Sequence, residues 1–190
     1  MKRRALISVL LALLTVLSLA SCAKDPLTAG KTDGNTYENP AIPMTFTAPE
    51  GWELLDREAV AALVGDENLG PCEFMAQPSD GSTVGVTLSI HEDGEYADVS
   101  SAEDYLNTLR EDMENISQSL VVYQFGKLGK ITLGEVEFAF LPYTMKFADT
   151  DYELSQCRYI AQLRKSGVLV SVSATFGDDF TEEDLSKLFS

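Results

Sequence analysis

The chain has one histidine, His91, and three cysteines, Cys22, Cys72 and Cys157, so a nucleophile–base site has few ways to be built. A Ser-His-Asp or Cys-His arrangement would have to use His91. In the alternating run before it, Val84, Val86, Leu88 and Ile90 share one side. His91 falls out of phase with them, beside Glu92-Asp93-Gly94, and reads as a solvated residue at a strand end. Gly81-Ser82-Thr83-Val84-Gly85 carries its serine one place too early for a nucleophile elbow. Gly126-Lys127-Leu128-Gly129-Lys130 has neither the spacing nor the hydroxyl of a phosphate-binding loop. Every catalytic template fails, so the sequence reads as a non-enzyme.

Metal chemistry is limited in the same way. One imidazole and two thiols left after Cys22 do not make the usual zinc or copper ligand set. Oxygen ligands are plentiful. In Asp149-Thr150-Asp151-Tyr152-Glu153, the carboxylates of Asp149, Asp151 and Glu153 recur at spacing two beside a turn, which makes them the candidate calcium ligands. The glycine and terminal glutamate of an EF-hand loop are missing. No motif calls for an organic cofactor. Tyr96, Tyr143 and Tyr152 stand near turns or acidic residues and are the candidate exposed binding residues, whereas Trp52 and Tyr159 have apolar neighbours in phase and read as core. Cys72 and Cys157 both fall on the core side of expected strands. Export would permit a disulfide between them, but two separate buried thiols that never meet are the favoured reading.

The elements that must position these residues are legible from periodicity and caps. Met44–Thr47 alternates as a short strand, and Pro49-Glu50-Gly51 turns the chain into Trp52. Asp56 is placed to cap a helix that Gly65 ends, with Leu55 and Val60 as its hydrophobic staple. Strands are expected over 72–77 and 83–91. Ser100 and Glu103 form a capping-box pattern for the longest helix, to about residue 117, whose stripe is Ala102, Tyr105, Leu106, Leu109, Met113 and Ile116. Four strands follow, over 120–132, 135–145, 151–163 and 167–176, with connectors short enough for antiparallel hairpins. Phe180, Thr181, Asp184 and Leu185 open a C-terminal helix.

The first residues have another purpose. Lys2, Arg3 and Arg4 precede an apolar run from Ala5 to Ala20, which is short for a stable span of ~20 residues and fits a signal peptide. Leu19-Ala20-Ser21-Cys22 resembles the lipobox of bacterial lipoproteins. That resemblance implies cleavage after residue 21, a diacylglyceryl group on Cys22, and attachment to the cell membrane or outer envelope on its extracytoplasmic side. Residues 22–39 then read as the acylated cysteine and a flexible tether, and residues 40–190 as one globular domain. The formal net charge is −16, and the leader holds only cations, so the remainder is more acidic still. Such a domain is repelled by phosphate backbones, which argues against nucleic acid as a partner. A hydrophobic fraction of 45% is enough for a packed core.

Phe46-Thr47-Ala48-Pro49-Glu50-Gly51-Trp52 resembles the F-x-x-P-x-G-W entry of PsbP-like domains, a group that includes DcrB-like lipoproteins. The order of elements from Met44 to Phe189 is similar as well. The resemblance implies an α+β fold, an α/β/α sandwich with a central antiparallel sheet flanked by helices. It also implies a non-catalytic accessory role with a protein partner. A small-ligand or calcium-binding module is the alternative.

Overall fold

The computed structural model describes residues 30–65, 69–91, 99–116, 121–147, 150–163 and 168–190. A small sheet comes first, from β1 (Lys31–Asp33), β2 (Thr36–Glu38) and β3 (Thr45–Thr47), in that order and antiparallel. The large sheet contains β4 (Trp52–Asp56), β5 (Cys72–Pro78), β6 (Gly85–His91), β7 (Val121–Phe125), β8 (Gly129–Leu133), β9 (Val136–Phe147), β10 (Glu153–Leu163) and β11 (Val168–Phe176). Its order is β4-β5-β6-β11-β10-β9-β7, with β8 also on β9, and every pairing is antiparallel. The helices among the described residues are α1 (Arg57–Val64), α2 (Ala102–Ile116) and α3 (Glu182–Lys187).

Register assigns the two faces. Leu54, Ala76, Val86, Ala174 and Cys157 stand opposite one another across five strands. With the next row on that side, Phe74, Leu88, Val172 and Tyr159, they form the main core. The small sheet covers this face through Tyr37 and Phe46, together with Leu185 of α3, Phe180 and Phe189. The opposite face holds both longer helices. Val60 and Val64 of α1 pack on Leu55 and Met75, and Tyr105 and Leu106 of α2 pack on Ala139, Leu141 and Ile160. The fold is thus mixed α+β around an antiparallel sheet. On the main-core face the cover is mostly a second sheet, with the six-residue α3 as its helix.

Residues 31–38, expected to be tether, belong to the domain. Tyr37 is 3% exposed and pairs with Phe46. A large aromatic, placed by strand pairing with a residue nine positions away, anchors this stretch on the core. The expected strand over 120–132 is broken into β7 and β8, which lie end to end along β9. The cause is Pro142: its carbonyl accepts from Gly126 N–H at 2.8 Å, but on that same side it has no N–H to return. A Cβ at Gly126 would also stand 2.8 Å from the Pro142 ring.

Local signals hold well. The Asp56 carboxylate accepts from Ala59 N–H at 2.8 Å, and Gly65 ends α1 with φ of 85°. Thr181 and Asp184 form the capping box of α3. The cap of α2 is displaced by one residue, since Ser101 Oγ, rather than Ser100, accepts from Asp104 N–H at 3.1 Å. Substituting Asp56→Ala is expected to cost about 1 kcal/mol, read as a lower urea midpoint at unchanged slope. No midpoint change would mean that water serves Ala59 N–H equally well.

Candidate functional site

Of the carboxylates proposed for calcium, Asp151 and Glu153 fall among the described residues. Asp149 lies outside the described residues; Asp151 and Glu153 are exposed, and Glu153 is ion-paired with Lys146. Among the described residues, no group of three or more acidic, histidine or cysteine side chains is placed to hold a metal. Of the candidate binding tyrosines, Tyr143 and Tyr152 are among the described residues and differ in exposure. Tyr96 lies outside the described residues. Tyr152 is 37% exposed at the turn before β10, where its ring lies 5.7 Å from Phe147 and its hydroxyl donates to Thr83 Oγ1 at 3.2 Å. Tyr143 is buried, contrary to expectation, because it projects from β9 on the helix side and packs against Tyr123 and Phe125.

His91 is also enclosed, at 1% exposure, and the solvated reading is corrected. Its phase was legible, but the face it points to is covered too. Between α1 and α2 that face carries a polar stripe of Thr87, Ser89, Ser171, Ser173 and Arg158, all in helix-side register. Burial pushes the His91 imidazole down to about 4, and the Arg158 charge acts in the same direction. Arg158 is 8% exposed and donates to Ser171 Oγ at 3.4 Å, while Gln156 donates to Thr175 Oγ1 at 2.9 Å. Groups this enclosed organise the sheet and are poorly placed to meet a substrate.

Cys72 and Cys157 are free and buried, Cys72 against α1 and Cys157 in the main core. Burial pushes both thiols up to about 12. A thiol reagent at neutral pH is therefore expected to leave Cys72 and Cys157 unmodified in the native protein, and to modify both once urea unfolds it. A native protein that resisted the reagent and still yielded neither thiol after unfolding would indicate a disulfide instead.

A cleft of about 370 Å³ opens on another part of the surface, lined by Gly30, Lys31, Thr32, Tyr37, Asp56, Arg57, Glu58 and Glu73. It lies where β1 and the start of α1 meet β5. Glu73 occupies a bulge, since Cys72 pairs with Ser89 and Phe74 with Leu88, leaving no partner position between them. Such an extra residue re-aims a side chain out of the sheet pattern. The Glu73 carboxylate is buried and accepts through one oxygen from Gly30 N–H at 2.9 Å and Tyr37 hydroxyl at 2.8 Å. Burial, then the nearby Glu73 charge, raises the Tyr37 phenol above its ordinary range, so it stays a donor. Arg57 donates to the Cys72 and Gly70 carbonyls at 2.6 and 3.0 Å, which fixes the other wall. Gly30 has to be glycine here, because a Cβ would fall 2.1 Å from the Tyr37 hydroxyl. The sequence held one signal for this cleft: Glu73 is a lone charge within the apolar run Cys72–Ala76.

No family model and no curated protein matches the chain. Among solved structures it is similar to cyanobacterial PsbP (CyanoP) from Synechocystis, with a TM-score of 0.55 and 14% identity, over 91% of this chain and 98% of that one. A crystal structure from Bacteroides thetaiotaomicron matches with a TM-score of 0.48 and 12% identity, over 84% of this chain and 48% of that one. The first likeness shows that the fold is PsbP-like, and at such low identity it speaks for the fold alone.

Proposed function

We propose that the chain is a lipid-anchored, extracytoplasmic accessory protein whose PsbP-like domain is non-catalytic and binds a protein partner. The observation that carries the anchor is the basic, apolar leader ending in Leu19-Ala20-Ser21-Cys22. Two acyl chains on Cys22 hold a protein stably, whereas one holds it marginally. Among the described residues no helix is long and apolar enough to cross a membrane. The enclosure of His91, Cys72 and Cys157 supports a domain without nucleophilic chemistry.

The full chain expressed in a bacterial host is expected to partition into detergent and to yield an N-terminal peptide that starts at Cys22 and carries the diacylglyceryl mass. Cys22→Ser is expected to abolish that mass and to leave the apolar leader uncleaved, read as a heavier precursor. A wild-type protein processed elsewhere, or unmodified at Cys22, would overturn the anchor. Cross-linking in intact cells with both forms tests the partner: one protein enriched with each form supports recognition by the domain, and enrichment with neither removes it.

A further inference from the structure

We propose that the polar stripe between α1 and α2 binds a small hydroxycarboxylate, its carboxylate on Arg158 and its hydroxyl on Gln156. Burying a cation is costly unless an anion or a full set of acceptors compensates it. Arg158 is 8% exposed, and its Nε is buried without a hydrogen-bond partner. The neighbours that its guanidinium does meet, Ser171 Oγ at 3.4 Å and the Tyr143 hydroxyl, are neutral. Among the described residues no carboxylate forms an ion pair with it. Gln156 is 4% exposed, and its Oε1 is likewise buried without a partner.

Both side chains lean the same way. From β10, Arg158 reaches Ser171 and Gln156 reaches Thr175, both on β11, so the two open atoms stand at the edge of the stripe. Thr87, Ser89, Ser173 and Thr175 are partly exposed, which gives small solutes access from between the helices. Ser173 is opposite Arg158 and Thr87 opposite Ser173, adding hydroxyl donors beside the guanidinium. The open donor and acceptor then select the ligand. A guanidinium edge matches a planar carboxylate, and one uncompensated positive charge calls for one negative charge, not a phosphate dianion. Residues two apart on a strand are about 6–7 Å apart. A carboxylate with an adjacent hydroxyl can therefore accept from Arg158 Nε–H and donate to Gln156 Oε1 at once. The chain as a whole does not draw anions from a distance, at −16, but the stripe has its own field. Burial, then the Arg158 charge, lowers the His91 imidazole, and the second effect marks that field as positive.

The test is nitrogen-edited NMR of the full chain in detergent, following the Arg158 Nε–H resonance as sodium glycolate is added. Neutral glycolamide at equal ionic strength is the comparison. Glycolate is expected to shift the resonance to saturation, and glycolamide to leave it in place. A resonance unmoved by glycolate, or moved equally by glycolamide, would overturn the site without recourse to any variant. Calorimetric titration gives the second reading. Arg158→Lys keeps the charge but loses the planar donor edge, and is expected to weaken glycolate binding at least about tenfold. Acetate, which lacks the hydroxyl, is expected to bind the wild-type chain about tenfold more weakly than glycolate. Equal glycolate affinity in the variant would remove Arg158 from the site, and equal affinity for acetate would overturn the hydroxycarboxylate class.

Discussion

Phe46→Ala is expected to destabilise the fold by about 3–5 kcal/mol, the usual cost of deleting a buried aromatic side chain. Phe46 is 1% exposed, with its ring centroid 4.5 Å from that of Phe74 in the large sheet and 5.2 Å from that of Phe189 near the C-terminus. Its neighbours make the backbone bonds that join these parts. Thr45 and Ser190 exchange N–H···O bonds at 2.7 and 3.0 Å, and Thr47 N–H donates to the Leu188 carbonyl at 2.8 Å. One ring therefore holds together the small sheet, the large sheet and the chain end. Since domains commonly have only about 5–15 kcal/mol in total, the variant should show a much lower urea midpoint with the slope unchanged. A loss below about 1 kcal/mol would mean that the small sheet repacks around the missing ring.

The second large effect is acid sensitivity through His91. Its ordinary value is 6.5, and burial lowers it to about 4 in the native state. As pH falls through that interval, the unfolded chain takes up a proton at His91 that the native protein refuses. Unfolding is favoured, so this contribution to stability is full above about 6.5 and is lost progressively down to about 4. The difference corresponds to about 3 kcal/mol. Carboxylates titrate nearby, so the reading is the gap between wild type and His91→Gln in urea unfolding at pH 7, 5.5 and 4. The wild-type protein is expected to lose about 3 kcal/mol more than the variant across the interval. A gap independent of pH would show that the native imidazole charges as readily as the unfolded one.

Features set by neighbouring residues were legible in the sequence. The Asp56 cap with its Leu55–Val60 staple, the Thr181–Asp184 box, and the run of antiparallel strands after residue 120 each depend on a few adjacent side chains. What escaped depends on distant partners. The β1–β2 hairpin is too short to show a period, and it folds because Tyr37 reaches Phe46 and Glu73. Strand β4 was hidden for a similar reason, since Trp52–Asp56 gains its meaning from pairing with β5. The alternation around His91 gave the correct side, yet alternation does not reveal that both sides of a sheet are covered. Tyr143 was misjudged on the same ground. The cleft was least legible of all: it is assembled from β1, β5 and the first turn of α1, and the bulge that aims Glu73 exists only in the pairing with β6.

The way the chain enters the fold also decides how it would respond to force. A pull from ahead of Gly30 acts on β1, which pairs with β2 alone, and the two strands meet in a hairpin whose free ends lie together. Loading of that kind opens a ladder one rung at a time, whereas sliding two strands apart lengthwise strains all rungs at once. The bond from Gly30 to Glu73 would give way first, and the pairs Lys31–Glu38, Thr32–Tyr37 and Asp33–Thr36 would follow in turn. The eight-stranded body, secured by much longer ladders, would stay closed meanwhile. Under such a load the entry hairpin would behave as a mechanical fuse, yielding at low tension while the main body remains folded.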